Sequence, residues 1–337
     1  MERRTFVQMS AAGVAMGAGT SFDGIKIGDR LNPRASEQDL AYFQQSGAEY
    51  ATIWTTLDNA TYEYMSSTKR KVEAAGIQLL NIGILDLHCD PAMVLGLAER
   101  DQKIEQYKAY LENLGRAGIG YTTYAHMANI KMGPYYATGS GRTRGAKTRL
   151  FDAEKAKNLP LSHGRVYTDD EIWDSFTKFI RAAMPVAEKA KVRIGLHPDD
   201  PPMNTLGGVA RVFRDADAYE RAIRIADSEN FGLCFCVGTW AEGGKSTGKD
   251  VYEMVRHFGR KSRIFKVHFR NVDKPLPVFQ ETFSDNGYID MYRVMLELKK
   301  VNFKGVMIPD HVPEPSPANN GWAIGHMRAL RERALHA

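Results

Sequence analysis

His197, Cys236, His268 and Asp310 are metal-competent side chains, and each stands at the C-terminal end of a short apolar run. The runs read Gly195-Leu196-His197, Cys234-Phe235-Cys236, Lys266-Val267-His268 and Ile308-Pro309-Asp310. One histidine in such a place is commonly a hydrogen-bonded structural residue. Four such groups in the same relative position are better explained by a shared site. Two imidazoles, a thiol and a carboxylate suit a borderline transition ion: zinc, manganese, ferrous iron, cobalt or nickel. Calcium and magnesium prefer all-oxygen shells and fit poorly. An ion so held acts as a Lewis acid on a substrate carboxylate or hydroxyl.

His311 directly follows Asp310, and these two are the candidate catalytic residues. Histidine exchanges protons near neutral pH, which suits a proton carrier. Adjacent residues of a regular strand point to opposite faces, so both reach one pocket only if the strand has ended there. Candidate substrate-binding residues are His88, His126, Arg211, Arg270, Asn271, Glu281 and Asp285, all expected near strand ends. For Arg211 and Arg270 the alternative is a structural ion pair with the helical layer. Asp199 and Asp200 either orient an imidazole from behind or serve as turn residues before Pro201. The densest basic stretch, Arg142, Arg144, Lys147 and Arg149, is either a solvated loop or a clamp for an anion.

Residues from several strands meet at one rim when the strands are parallel. From residue 24 onward the sequence alternates strand and helix eight times. Strands are predicted at 25–31, 50–55, 78–85, 121–127, 192–198, 231–237, 264–269 and 306–310, as short runs rich in β-branched and aromatic residues. Helices are predicted at 36–45, 60–75, 100–117, 169–191, 216–227, 249–258, 290–301 and 322–335. This alternation predicts a single-domain (β/α)8 TIM barrel over residues 24–337, with the active site at the C-terminal strand ends. No glycine-rich dinucleotide fingerprint follows the first strand, which counts against an open doubly wound sheet. A long insertion at about 128–168 follows the fourth strand, a place where lids and disordered loops occur.

The chain has 337 residues, 43% hydrophobic and 25% charged, enough for a large core. Its net charge of +5 comes from scattered basic residues, so no nucleic-acid partner is expected. Three cysteines do not make a disulfide framework. Cys236 is expected to face the barrel interior and Cys234 to pack against the helical layer. Residues 1–23 are set apart as a twin-arginine-like signal or disordered tail, from Arg3-Arg4-Thr5-Phe6 and the small residues after it. That motif points to periplasmic export, with a cytoplasmic location as the alternative. The segment is too short to anchor stably in a membrane.

The strings His197-Pro198-Asp199-Asp200-Pro201-Pro202, Phe235-Cys236 with Gly238, His268-Phe269-Arg270-Asn271-Val272, Phe279-Gln280-Glu281-Thr282 and Pro309-Asp310-His311 occur in this order. Together with Gly232-Leu233, Asp290-Met291 and Ile324-Gly325, they resemble the mannonate dehydratase family, over roughly residues 190–330. The family converts mannonate to 2-keto-3-deoxygluconate and water. The resemblance implies a TIM barrel, often dimeric, and Mn2+ held by His197, Cys236, His268 and Asp310, with Fe2+, Co2+ or Zn2+ as alternatives. It also implies proton transfer by His311. Ile308 and Val312 around Pro309-Asp310-His311 depart from the family pattern, as do Ile27-Gly28-Asp29-Arg30 and Tyr124-Ala125-His126-Met127.

The expected function is therefore metal-dependent dehydration of a small sugar acid. A metal-dependent sugar isomerase or epimerase on the same barrel is the alternative, although such enzymes usually show a carboxylate-rich shell. A non-catalytic exported carbohydrate-binding protein is a second alternative.

Overall fold

The computed structural model describes residues 24–130, 132–138 and 141–337. The twin-arginine-like segment lies outside them. Eight parallel strands form the centre. In chain order the first four are β1 (Lys26–Arg30), β2 (Tyr50–Thr55), β3 (Gln78–Ile84) and β4 (Tyr121–Tyr124). The insertion follows as an antiparallel hairpin, β5 (Tyr135–Thr138) and β6 (Lys147–Asp152). The barrel resumes with β7 (Arg193–Leu196). A two-residue hairpin, β8 (Thr205–Leu206) and β9 (Val209–Ala210), separates it from β10 (Phe231–Cys236) and β11 (Ile264–His268). After β12 (Asn271–Val272) and β13 (Val278–Thr282), the last barrel strand is β14 (Val306–Ile308).

The hydrogen-bonded order is β3-β2-β1-β14-β11-β10-β7-β4. The two ends of that order meet, since β3 packs beside β4 and Cys89 N–H donates to Ala125 O at 3.2 Å across the seam. Helices follow the strands and form the outer layer, as right-handed crossovers require. Their starts are written locally. Thr168 and Glu171 form a reciprocal capping box for the helix Asp169–Ala190. Ser316 caps the helix Pro317–Leu335, which starts earlier than the hydrophobic pattern predicts because Pro317 is suited to a first helical turn.

The insertion is not a structureless loop. β6 pairs with β13, and β13 with β12, so four short strands make a second sheet from the loops after β4 and β11. The clustering of Phe151 and Phe279, 5.6 Å between ring centroids, holds the two segments together. This sheet carries Arg149 and Glu281.

Strand parity decides which side chains enter the barrel. Cys234 pairs in register with Lys266, and Cys236 with His268. Residues two apart share a face, so Cys234 points inward with Cys236 instead of packing on the helical layer. Both thiols are free and buried. Among the described residues no helix is long and apolar enough to cross a membrane.

Candidate active site

The four candidate ligands come from β7, β10, β11 and β14, four neighbours in the sheet. One donor atom from each of His197, Cys236, His268 and Asp310 lies within 4.8 Å of the others. Cys236, His268 and Asp310 are buried. The donor set is the one the sequence suggested, and its compactness fits one ion of the borderline class.

Two of the donors, His197 and Cys236, are oriented from behind. His197 Nδ1 donates to the Pro198 carbonyl at 2.7 Å, which leaves Nε2 with its lone pair free. Asp199 does not orient that ring: its carboxylate accepts Phe213 N–H at 2.8 Å, and burial pushes it up to about 6. Cys236 ends β10 and caps the next helix. Thr239 N–H at 3.4 Å and Arg270 Nη2 at 3.3 Å both donate to its sulfur.

Asp310 stands two residues past the end of β14 with φ of 66°, in the left-handed region. Asp tolerates that conformation better than most residues. The turn breaks strand parity, so Asp310 and His311 both line the same cavity. Asp310 is held well below the usual carboxylate range. Burial opposes this, but His268, His311 and Arg30 favour its charge more strongly.

Arg270 organises the ground beneath. It is fully buried and its guanidinium touches Glu281 at 2.5 Å, Asp200 at 2.9 Å, Asp310 at 3.3 Å and the Glu242 carboxylate. Gly238 makes room for it, since a Cβ there would come within 2.6 Å of Arg270 Nε. Arg149 reaches in from β6 to Glu281 at 3.0 Å and Asp200 at 3.4 Å. Burial would raise the Glu281 carboxyl, but His311, Arg149 and Arg270 hold it at about 2. Glu242 behaves oppositely. Burial and the nearby Asp200 raise it well above the normal range, and its Oε2 has no partner.

His311 Nδ1 lies 2.9 Å from both Glu281 Oε1 and Arg149 Nη1. A proton on Nδ1 suits the carboxylate, and a bare Nδ1 suits the guanidinium. Either way the ring is fixed through Nδ1, and Nε2 is left for exchange with a substrate.

A cavity of about 740 Å³ opens over these groups, lined also by Arg30, Trp54, His88, Thr123 and Met127. This suits a ligand of small-molecule size. His88 packs on Trp54 with centroids 4.6 Å apart, and its Nδ1 has no partner. Burial and then the charges of His197 and Lys266 push His88 down to about 3, so it is neutral.

Other residues singled out from the sequence lie elsewhere. His126 bonds Tyr124 Oη at 2.7 Å and Ser175 Oγ at 3.1 Å, among Phe176, Phe179 and Phe213. It faces the helical layer because Thr123 faces the cavity and His126 has the opposite parity. Arg211 is buried on the Asp200 carbonyl and Asn129. Asn271 clasps the carbonyls of Ser284 and Ile289. Asp285 pairs with Arg144 near the surface. Of the basic stretch, Arg149 alone lines the cavity. Sequence reasoning missed Arg30, Trp54 and Glu242. The positions of Arg30 and Trp54 at the ends of the first two strands were the available signal.

The D-mannonate dehydratase (UxuA) family model matches residues 154–322. Mannonate dehydratase of Streptococcus pneumoniae (strain 70585) is 31% identical over 274 residues, covering 74% of this chain and 73% of its own. That of Streptococcus equi subsp. zooepidemicus is 32% identical, covering 74% of each. The solved mannonate dehydratase of Streptococcus suis serotype2 superposes with a TM-score of 0.82 at 25% identity, over 93% of this chain and 94% of that one. A xylose isomerase domain protein from Planctomyces limnophilus, at 13% identity and a TM-score of 0.62 over 93% and 100% of the two chains, shares the fold alone. With this match in sequence and in backbone, the chain belongs to the mannonate dehydratase family of hydro-lyases.

Proposed function

We propose that the protein dehydrates D-mannonate, or a closely related aldonic acid, to the 2-keto-3-deoxy acid and water, and that it needs a divalent transition ion to do so. The convergence of four donor atoms within 4.8 Å beneath a cavity that also holds His311 carries this reading. His197, Cys236, His268 and Asp310 would hold the ion, Mn2+ first by family likeness, with Fe2+, Co2+ or Zn2+ as alternatives. When bound, it supplies positive charge to the substrate carboxylate as negative charge builds there.

The chain's own groups supply the rest. The C2–H proton passes to His311 Nε2, its electrons form the C2=C3 bond, the C3–O bond breaks with its electron pair on oxygen, and the departing hydroxide takes the proton back from His311 Nε2 and leaves as water. The resulting enol tautomerises to the 2-keto acid. Glu281 and Arg149 hold the imidazole in place through Nδ1, which makes them positioning residues. Arg30 and neutral His88 line the cavity and bind the substrate's carboxylate and hydroxyl oxygens. Homodimerisation is carried over from the family likeness. Export by the twin-arginine route rests on the sequence of Arg3-Arg4-Thr5-Phe6 and the small residues after it.

The test is a panel assay. The Mn2+-loaded protein is incubated with D-mannonate, other aldonic acids and free sugars, and 2-keto-3-deoxy acid is followed. Product from D-mannonate is expected. Aldose–ketose interconversion without any keto acid would overturn the proposal in favour of an isomerase.

A further inference from the structure

Cys234 is the one inward-facing thiol that the proposed metal site leaves out. It lies fully buried in the barrel interior, two residues below Cys236 on the same face of β10. Its diagonal neighbour on β11 is His268, and its Sγ stands 3.3 Å from His268 Nε2. The other ring nitrogen is in a different situation. His268 Nδ1 is buried and makes no hydrogen bond, although Asp310 Oδ1 is only 3.2 Å away. That spacing without hydrogen-bond geometry is what two donors to one ion show. Atoms held about 2.1 Å from a common centre stand roughly 3.0–3.4 Å apart at octahedral or tetrahedral angles.

We propose that Cys234 is a positioning residue of the metal centre: its sulfur accepts the Nε2 proton of His268 and so fixes the ring with Nδ1 toward the ion. This rests on the reading that His197, Cys236, His268 and Asp310 hold a metal. A ligating histidine commonly donates its second N–H to a carboxylate or a carbonyl, which sets both tautomer and ring angle. His197 does so through Nδ1 to the Pro198 carbonyl. His268 has a sulfur in that place, and the two imidazoles therefore present opposite nitrogens. Sulfur is a weak acceptor, but its size lets it reach a ring from a diagonal position where no carboxylate is packed. A residue there for packing alone would need no lone pair.

Two pairs of variants of the full chain separate the roles. Cys234→Ser and Cys234→Ala differ in the acceptor at similar small size, and Cys234→Thr and Cys234→Val do so at larger size. Mn2+ and Co2+ affinities are measured by competition with a fluorescent chelator, alongside the visible absorption of the Co2+ form and a thermal melt. Ala and Val are expected to weaken binding by about 10–100-fold and to shift the Co2+ bands, with Ser and Thr within about threefold of wild type. Equal losses within a pair, or wild-type affinity and spectrum in Ala and Val, overturn the proposal. Nitrogen-15 NMR of histidine-labelled wild type loaded with Zn2+ decides independently of folding in the variants. The His268 proton is expected on Nε2, and a proton on Nδ1 overturns the proposal. Cys236→Ala is the control. If it binds metal as wild type does, the metal reading itself fails; if it loses metal while Cys234→Ala does not, only the role of Cys234 fails.

Discussion

Arg30 Nη2 stands 2.7 Å from Asp310 Oδ1, so a cation from the first barrel strand touches a proposed ligand from the eighth. Arg30 is partly exposed and lines the cavity, where its guanidinium can meet a carboxylate substrate. Arg30→Gln is expected to raise KM for the acid about tenfold, in line with loss of one charge-assisted hydrogen bond of about 1.5 kcal/mol. Steady-state kinetics checks this, and an unchanged KM would remove Arg30 from the binding site.

His311 is fixed through Nδ1 and leaves Nε2 for the substrate. His311→Asn is expected to lower kcat by about 10²–10⁴-fold, the usual share of a general acid or base, with metal content unchanged. Loss of metal together with activity would instead assign the residue a structural part.

Arg270 and Glu242 should respond differently to substitution. Arg270→Met removes the fully buried cation that Asp200, Glu281 and Asp310 share, and a loss of about 3–5 kcal/mol of stability is expected. Burial and Asp200 raise the Glu242 carboxyl well above the usual range, which favours its neutral form, and a neutral carboxyl resembles an amide. Glu242→Gln is expected to stay within about 1 kcal/mol of wild type in urea unfolding. A large loss would mean that Glu242 is ionised.

His126 gives a pH dependence with a definite sign. Burial pushes it down to about 3, from 6.5 when exposed. Between those values the unfolded chain binds a proton that the folded chain does not. Stability therefore rises with pH through this window, by up to about 1.4 kcal/mol per pH unit, and the contribution is fully present above 6.5. On acidification it is lost progressively until the folded state also protonates near 3. Unfolding free energies of metal-free wild type and His126→Asn, compared from pH 4 to pH 7.5 (a window chosen to bracket about 6.5), should differ in slope in this sense. Parallel curves would show that His126 is already charged in the folded protein.

Much of the architecture was legible because it is periodic. Alternating apolar strands and amphipathic helices imply parallel strands, and parallel strands put every C-terminal end at one rim. His197, Cys236, His268 and Asp310 were readable for that reason, without knowledge of a single side-chain direction. Cys234 and His126 were misplaced by neglect of parity: Cys234 shares the face of Cys236, and His126 lies opposite Thr123. Parity was available in the sequence once the strand was assigned.

Other features were not available there. The sequence alone determined the barrel, the four candidate ligands and the likeness to a family. Tertiary structure decided that Arg149 enters the cavity while Arg142 and Arg144 do not, because β6 pairs with β13, a segment over a hundred positions away whose partner no local pattern names. It also decided that Asp310 and His311 share the cavity, through a left-handed backbone at Asp310 that neither residue type enforces. Ligand identity follows from strand order, which is local. The walls around the ligands follow from loops meeting across the barrel, which only packing can fix.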